Sequence, residues 1–411
     1  MKLEIPDIED VFVCLQCGYC KAYCPTGSQI GWESVAPRGK VYWLKKIHKQ
    51  SWWDWLLGRS YEPDEEWMKK LLLCTLCGRC EAVCHTDIKF HEFWEETRRY
   101  MIDHGFAPDP EKVEWYKNVK NMYNSIFDKK FNNPFNEPVE KRDEWYKDDY
   151  QLPKEADIVY FIGCMTSYHE YKLLLNVMKV FTKAGLNFTT MGCDEMCCGA
   201  INLMTGHFDR YDELAHHNVN EFRKRKATKI ITGCPGCYRG IKRYAEYVDK
   251  FDFEVLHTTE VLADLIHKDK LELKKEFKAK NAPLVYHDPC ELGRISEFEG
   301  HGIYEDPRFC LESVPGVGQV IEFPSSKKHS TCCGGGGGLK AVDYDLSAKI
   351  TLTKVDDAIE IGANSIASAC PNCLGQITVG TKMKKEIIAE KGGGKFKMQV
   401  FDVFDVVAKS L

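Results

Sequence analysis

ADIVYFIGC, residues 156–164, and APLVYHDPC, residues 282–290, are short apolar runs that each end on a cysteine. Downstream of each comes a Cys-Cys-Gly tripeptide, at Cys197-Cys198-Gly199 and at Cys332-Cys333-Gly334. A second apolar run then enters a C-P-x-C turn, KIITGCPGC at 229–237 and SIASACPNC at 365–373. Each series closes on a similar pair of segments, FEVLHTTEVLADLI at 253–266 and MQVFDVFDVVAKSL at 398–411. Recurrence of four features in one order is an internal duplication. The apolar runs are short and followed by helical periodicity, the pattern of α/β units with a largely parallel sheet. Such sheets bind ligands beyond the C-terminal ends of their strands, which is where these cysteines stand.

Twenty cysteines in 411 residues decide the class. The N-terminus, MKLEIPDIEDVF, has neither the apolar core of a secretory signal nor a twin-arginine pair, so a cytoplasmic protein is expected. In a reducing compartment patterned cysteines bind metal more often than they form disulfides. No apolar run approaches the roughly 20 residues of a membrane span. The formal net charge of -5 argues against a nucleic-acid partner, which calls for a basic surplus.

The first eight cysteines are two runs of identical spacing: Cys14, Cys17, Cys20 and Cys24, followed by Pro25, and Cys74, Cys77, Cys80 and Cys84, followed by His85. C-x2-C-x2-C-x3-C is the run of a [4Fe-4S] cluster whose fourth cysteine ligates the other cluster of a pair. One cubane is therefore expected on Cys14, Cys17, Cys20 and Cys84, the other on Cys74, Cys77, Cys80 and Cys24. Structural zinc shares the C-x2-C spacing, but two complete four-cysteine runs favour iron–sulfur. VYWLKKIHK (41–49) and EEWMKKLLL (65–73), between the runs, carry helical periodicity. The module resembles the α-helical ferredoxin domain of succinate dehydrogenase iron–sulfur subunits. All nine tryptophans lie within the first 145 residues. The stretch after Gly105 mixes prolines with charges and one short helix, near Glu111 to Tyr123. The expected organisation is a ferredoxin domain at 1–104, a linker at 105–156, and two copies of the repeat at 157–280 and 281–411.

Ten further cysteines fill two groups: Cys164, Cys197, Cys198, Cys234 and Cys237, then Cys290, Cys332, Cys333, Cys370 and Cys373. Adjacent cysteines fit a cubane poorly, and five thiolates point to a cluster of unusual shape. These motifs resemble the cysteine-rich CCG domains of the heterodisulfide reductase family. The chain as a whole resembles that family's D-type subunit, a fusion of its C and B types. The resemblance implies an α-helical two-cluster ferredoxin domain followed by duplicated α/β CCG domains. It also implies two cubane [4Fe-4S] clusters, a noncubane [4Fe-4S] cluster on each five-cysteine group, and no flavin of its own.

The implied activity is reduction of a disulfide, with the mixed disulfide of coenzymes M and B as leading substrate. A disulfide takes two electrons whereas clusters deliver one at a time. A lone electron leaves a thiyl radical unless an iron captures the sulfur, and two sites facing one disulfide meet that need. The implied partners, in a hetero-oligomeric complex, are an electron-donating flavoprotein subunit or a membrane cytochrome b, the latter holding the chain at the inner face of the membrane. The alternative is a non-catalytic electron-transfer subunit of a larger assembly, such as a benzoyl-CoA reductase or an organic-acid dehydrogenase.

Smaller features carry competing expectations. His287, three residues before Cys290, either supplies a proton to a leaving thiolate or orients a loop. The run Gly334–Gly338 either forms a nest for cluster sulfurs or an anionic substrate group, with Lys340 nearby, or lets the chain pass close to the cluster. Arg239 and Arg294 are expected as surface charge, with anion pairing the alternative. Cys193 and Cys310 are expected as buried, inert thiols. WWDWLL (52–57) reads as a docking patch or as core packing, and FRKRKATK (222–229) as a solvated helix face.

Overall fold

A computed structural model describes residues 3–49, 52–59 and 61–411. The chain divides into two compact units, one of Met1–Lys120, Ile201–Phe208 and Gly334–Ile350, the other of Asn121–Ala200, Asp209–Cys333 and Thr351–Leu411. Two short segments of the duplicated half therefore belong with the N-terminal module, and the boundary near residue 120 falls within the helix Glu114–Ile126.

The first unit is helical. The helix Pro37–His48 starts on a proline, whose missing N–H costs nothing there, and buries Val41, Leu44 and Ile47 along one face. Asp64 caps the helix Glu65–Leu72 by accepting from Trp67 N at 2.7 Å, and Glu65 and Glu66 in its first turn suit the positive end of the helix dipole. That helix buries Trp67, Met68, Leu71 and Leu72, and the helix Phe90–Asp103 adds Phe90, Phe93, Trp94 and Met101. Each such side chain contributes ~1.5–3 kcal/mol by leaving water. The two cysteine runs fold alike. Gln16 and Gly18 in one, Leu76 and Gly78 in the other, take left-handed backbone conformations at matching positions. The repeated reversal curls each loop around a hollow.

The second unit holds two four-stranded sheets. Strands β1 (Ile158–Phe161), β2 (Phe188–Thr189), β3 (Lys229–Thr232) and β4 (Glu254–His257) lie in the order β2-β1-β3-β4. Strands β5 (Leu284–His287), β6 (Ile321–Glu322), β7 (Ser365–Ser368) and β8 (Gln399–Asp402) repeat it as β6-β5-β7-β8. All pairs are parallel, and the register repeats as well: Phe161 faces Thr232 as His287 faces Ser368. The order reverses beside β1 and β5, which opens a crevice at the ends of β1 and β3 and of β5 and β7.

The copies pack by exchange. The helix Tyr171–Lys183 of the first lies on Val403–Ser410 of the second, and Thr258–His267 of the first lies on Glu305–Glu312 of the second. Asn176 Nδ2 donates to Asp405 Oδ1 at 2.6 Å and Lys179 Nζ to Ala408 O at 2.8 Å across the first contact. One hydrophobic core serves both copies: Tyr160, Leu174, Val177 and Phe181 meet Tyr286, Leu311, Val403 and Phe404. Phe404→Ala should therefore destabilise the second unit by ~3–5 kcal/mol, read as an earlier unfolding transition of the loaded protein.

Candidate functional site

In the first unit each curled loop closes on a cavity. One is lined by Cys14, Cys17, Cys20 and Cys84. The other is lined by Cys24, Cys74, Cys77 and Cys80, with Lys40, His91 and Trp94. The fourth cysteine of each run thus lines the cavity of the other run. Pro25 starts the helix Pro25–Ile30 behind Cys24, whereas His85 behind Cys84 packs edge-on against Tyr19 at 4.6 Å. Burial pushes the Cys20 thiol up to about 11. Burial, then the charge of Cys74, pushes Cys24 up to about 12. Crowded dry thiols resist losing protons to water, and bound metal cations offset that cost.

The two cavities differ in exposure. Cys17 is exposed, and beside it Leu15 is 69% and Tyr19 52% exposed. Around the second cavity Cys77 and Lys40 are buried, with Lys40 Nζ 5.6 Å from the centre of the Trp94 ring. Fully buried Arg98 fastens this loop, Nη2 donating to Leu71 O at 2.6 Å and Cys74 O at 2.8 Å. Its Nη1 donates to Gly337 O at 3.0 Å and to Met204 O. A Cβ on Gly337 would stand 2.3 Å from Cys74 O, and one on Gly336 2.7 Å from Thr75 O. Gly336 and Gly337 thus pass close to the backbone of the second four-cysteine loop, a neighbour the sequence reading did not name.

In the second unit the first five-cysteine group gathers at the ends of β1 and β3. Cys164 opens the helix Cys164–Tyr168 and Cys234 caps Pro235–Lys242. The thiols form a chain of contacts, Cys164 to Cys197, Cys197 to Cys198, Cys198 to Cys237 and Cys237 to Cys234. Hydrogen bonds from Cys197 and Cys237 hold the Cys198 thiol down at about 6, while the bond to Cys197, together with burial, pushes Cys164 up. Before Cys164, Gly163 has φ +77 and leaves its neighbour room: a Cβ would lie 3.0 Å from Cys237 Sγ.

The second group is built the same way beyond β5 and β7. Cys373 Sγ lies 3.3 Å from Cys333 Sγ, and Cys373 N donates to Cys370 Sγ at 3.4 Å. Cys332 adjoins Cys333 in its loop, and Cys290 follows β5. Cys370 also feels the charge of Cys234, so the groups are neighbours within this unit. The exchange repeats here, the Glu291–Ile295 turn packing on Pro235–Lys242 as Cys164–Tyr168 packs on Pro371–Glu390. Cys164, Cys234 and Cys290 are half-buried, and the other seven cysteines of the two groups are buried.

Buried polar groups that no spacing announces hold these loops. Tyr244 OH donates to Cys198 O at 2.9 Å and Asn218 Nδ2 to Cys197 O at 3.2 Å. Thr351 Oγ1 donates to Cys333 O at 2.7 Å. Fully buried Glu195 accepts from Ile162 N at 2.9 Å and Gly163 N at 2.8 Å and pairs with Arg142. In the second copy Arg308 grips Asp288 with bonds of 2.7 and 2.9 Å, and Lys327 N donates to the same carboxylate at 2.8 Å.

Several expectations meet a different environment. Arg239 and Arg294 are buried rather than surface charges. Arg239 pairs with Glu299 at 2.6 Å, and Arg294 donates to Lys328 O at 2.6 Å and Ser330 O at 3.0 Å. Salt-bridged or spent on carbonyls, they keep the loops beside the cysteines in place. Cys310 is buried as expected, whereas Cys193 is exposed. Trp52, Trp53, Leu56 and Leu57 are exposed, so they pack no core, and the side chain of Trp55 lies outside the described residues. His287, at the end of β5, is 1% exposed, and its ring is held neutral, burial first and Lys354 next lowering it to about 3.

Comparison with known proteins agrees with this layout. A 4Fe-4S dicluster domain matches residues 13–89, and a cysteine-rich domain, CCG, matches 158–242 and 284–378. The D-type subunit of the dihydromethanophenazine:CoB--CoM heterodisulfide reductase of Methanosarcina barkeri is 33% identical over 100% of this chain and 96% of its own. An EtfAB:quinone oxidoreductase of Syntrophomonas wolfei is 27% identical over 98% of this chain and 59% of its own length. The crystal structure of a hypothetical protein from Helicobacter pylori shares the fold, with a TM-score of 0.54 at 10% identity, over 98% of this chain and 76% of that one. No helix among the described residues is long and apolar enough to cross a membrane.

The Glu195–Arg142 pair gives a direct test of the framework. Glu195→Gln leaves Arg142 buried without its counter-charge, and a loss of ~3–5 kcal/mol is expected. Chemical unfolding of the loaded protein, followed by tyrosine and tryptophan fluorescence, measures it.

Proposed function

Because the chain belongs to the family of the D-type heterodisulfide reductase subunits, we propose that this iron–sulfur oxidoreductase subunit reduces a small-molecule disulfide between its two cysteine-rich sites. The observation that carries the reading is the adjacency of the two five-cysteine groups, Cys370 within reach of the charge on Cys234, in copies that exchange equivalent helices. One disulfide set between them meets matching sites from both sides. The leading substrate is the mixed disulfide of coenzymes M and B, the chemistry in the name of the Methanosarcina relative.

The donor sets fit iron–sulfur groups: two four-cysteine cavities for cubane clusters, and two five-cysteine pockets for noncubane ones. Such groups, when bound, supply single electrons in sequence and thiophilic iron beside the sulfur–sulfur bond. The reaction consumes two electrons and two protons, breaks the S–S bond and releases two thiols. The chain's own residues set the surroundings. Exposed Cys17, with Leu15 and Tyr19, supports electron entry from a partner at the Cys14–Cys17–Cys20–Cys84 group. Half-buried Cys164, Cys234 and Cys290 support access for a small molecule at one side of the paired pockets, while the buried cysteines exclude water behind it. The electron donor is a flavoprotein subunit or a membrane cytochrome b in a hetero-oligomeric complex.

A relay subunit without a substrate of its own is the second reading, favoured by the alignment of 98% of the chain with the EtfAB:quinone oxidoreductase. Anaerobic oxidation of reduced viologen by the cluster-replete chain, offered a panel of disulfides, separates the two. Turnover with one disulfide is expected; none, at full iron and sulfide content, leaves the relay. Cys84→Ser tests the crossed ligation. It should alter the electron paramagnetic resonance signal shared with Cys14→Ser and spare the one altered by Cys74→Ser.

A further inference from the structure

The two copies of the cysteine-rich half agree up to the helix that follows the C-P-x-C turn, and diverge there. In the first copy that helix, Pro235–Lys242, gives way to a short 3-10 turn, Arg243–Glu246. In the second it runs on without a break from Pro371 to Glu390. The charges differ as well. Strands β4 and β8 pair alike, which sets Glu254 level with Gln399. Two residues earlier, Asp252 of the first copy answers to Lys397 of the second. Glu254 is itself paired, with Lys229 at 2.6 Å. The shared fold therefore does not call for lysines here.

The longer helix and the segment after it wall a cavity of about 670 Å³. Lys382, Lys385, Lys395 and Lys397 line it, with Phe396, and no carboxylate does. A second cavity, of about 560 Å³, adjoins it, lined by Lys275, Lys278, Lys280, Lys397 and Lys409, with Phe277 and Phe401. Lys397 and Gln399 belong to both. Among the described residues, Glu276 is the one acidic side chain lining either.

Eight lysines thus meet in one place on a chain whose formal net charge is -5. Lysines close by in sequence are spent on carboxylates, Lys384 on Asp356 at 2.6 Å and Lys274 on Glu272 at 2.8 Å. Those lining the cavities make no salt bridge among the described residues. Lys409 rests on the Phe401 ring at 4.7 Å, and Lys382 acts on Glu170 at a distance. Like charges held together repel: burial, then Lys275 and Lys183, push neighbouring Lys179 down. Edge strands use lysine to discourage pairing, and β8 is an edge strand. That accounts for Lys397, but not for the lysines of a helix and of the 275–280 segment.

We propose that the paired cavities are a docking groove for an acidic segment of a partner protein, seated across residues 395–399. Its carboxylates meet the lysines of both cavities, and complementary charge steers the encounter and fixes the register. The lining says why the occupant is a protein. All eight lysines are exposed, so the groove is too open for a small anion, whose sites bury most of the ligand. A protruding segment enters a groove, whereas the flat face of a bilayer stops at its rim. Phe277 and Phe396 are half-buried and Phe401 is buried, so none is the open ring on which nucleic-acid bases stack. The inference goes beyond the disulfide reading and does not depend on it.

Fluorescence anisotropy of a labelled dodecapeptide of alternating aspartate and alanine, titrated with the full cluster-replete chain, tests it. Saturable binding that weakens with added salt is expected. Lys395→Glu with Lys397→Glu, or Lys275→Glu with Lys278→Glu, should weaken it about tenfold or more. Lys224→Glu with Lys226→Glu, a matched reversal at exposed lysines elsewhere in this unit, should change it less than about twofold. Iron content equal to that of the unaltered chain separates lost binding from lost fold. No saturable binding, or equal weakening by the control pair, overturns the groove. Tighter capture of tripolyphosphate, a single-stranded oligonucleotide or phosphatidylglycerol vesicles through the same lysines overturns the partner class. Disulfide turnover is read on the same samples, and its absence with peptide binding intact overturns the proposed function alone.

Discussion

Sulfur crowded into dry pockets is the constraint on which the rest of this structure depends. Seven of the ten cysteines in the two five-cysteine groups are buried, and their thiols touch in chains. Ionising several thiols at such range in a low-dielectric interior is prohibitive without nearby positive charge. Iron supplies that charge, and the protein must hold the loops ready for it. The carbonyls of Cys197, Cys198 and Cys333 are pinned by Asn218, Tyr244 and Thr351. The loops before Cys164 and Cys290 are pinned by carboxylates, Glu195 and Asp288, each neutralised by a buried arginine. These groups cost desolvation, so their value lies in fixing geometry rather than in net stability.

Duplication turns one such pocket into a facing pair. Because helices of the two copies pack reciprocally on one another and share a hydrophobic core, neither copy can shift far without breaking apolar contacts of the other. That rigidity suits the two-electron reaction proposed above, in which a substrate would have to meet both sites at once.

The four-cysteine cavities are built differently. There the backbone does most of the shaping, through matched left-handed residues at Gln16, Gly18, Leu76 and Gly78. The second loop is then bound by one buried arginine to carbonyls from three separate stretches of chain. Gly336 and Gly337 allow that approach because any side chain would collide with the carbonyls of Thr75 and Cys74. Replacing a glycine at positive φ in such a contact adds backbone strain to the collision.

How much of this was legible beforehand follows from the range of each signal. The cysteine groups, the duplication and the parallel α/β character depend on local spacing and periodicity, which a sequence displays directly, and the shared cavity of Cys84 with Cys14 followed from the run itself. The burial of Arg239 and Arg294 did not follow, because their partners, Glu299 and the Lys328 and Ser330 carbonyls, come from elements that only folding brings near. The same holds for Arg142, in a stretch that reads as linker but whose guanidinium neutralises Glu195 inside the first copy. The exposure of Trp52 and Trp53 likewise turned on whether another element covers them. The sequence by itself determined that the chain is built for iron–sulfur groups, since the count and spacing of its thiols are local properties. Only the tertiary structure decided which pockets adjoin and which charges are buried, because those are properties of residues far apart in the chain and close in space.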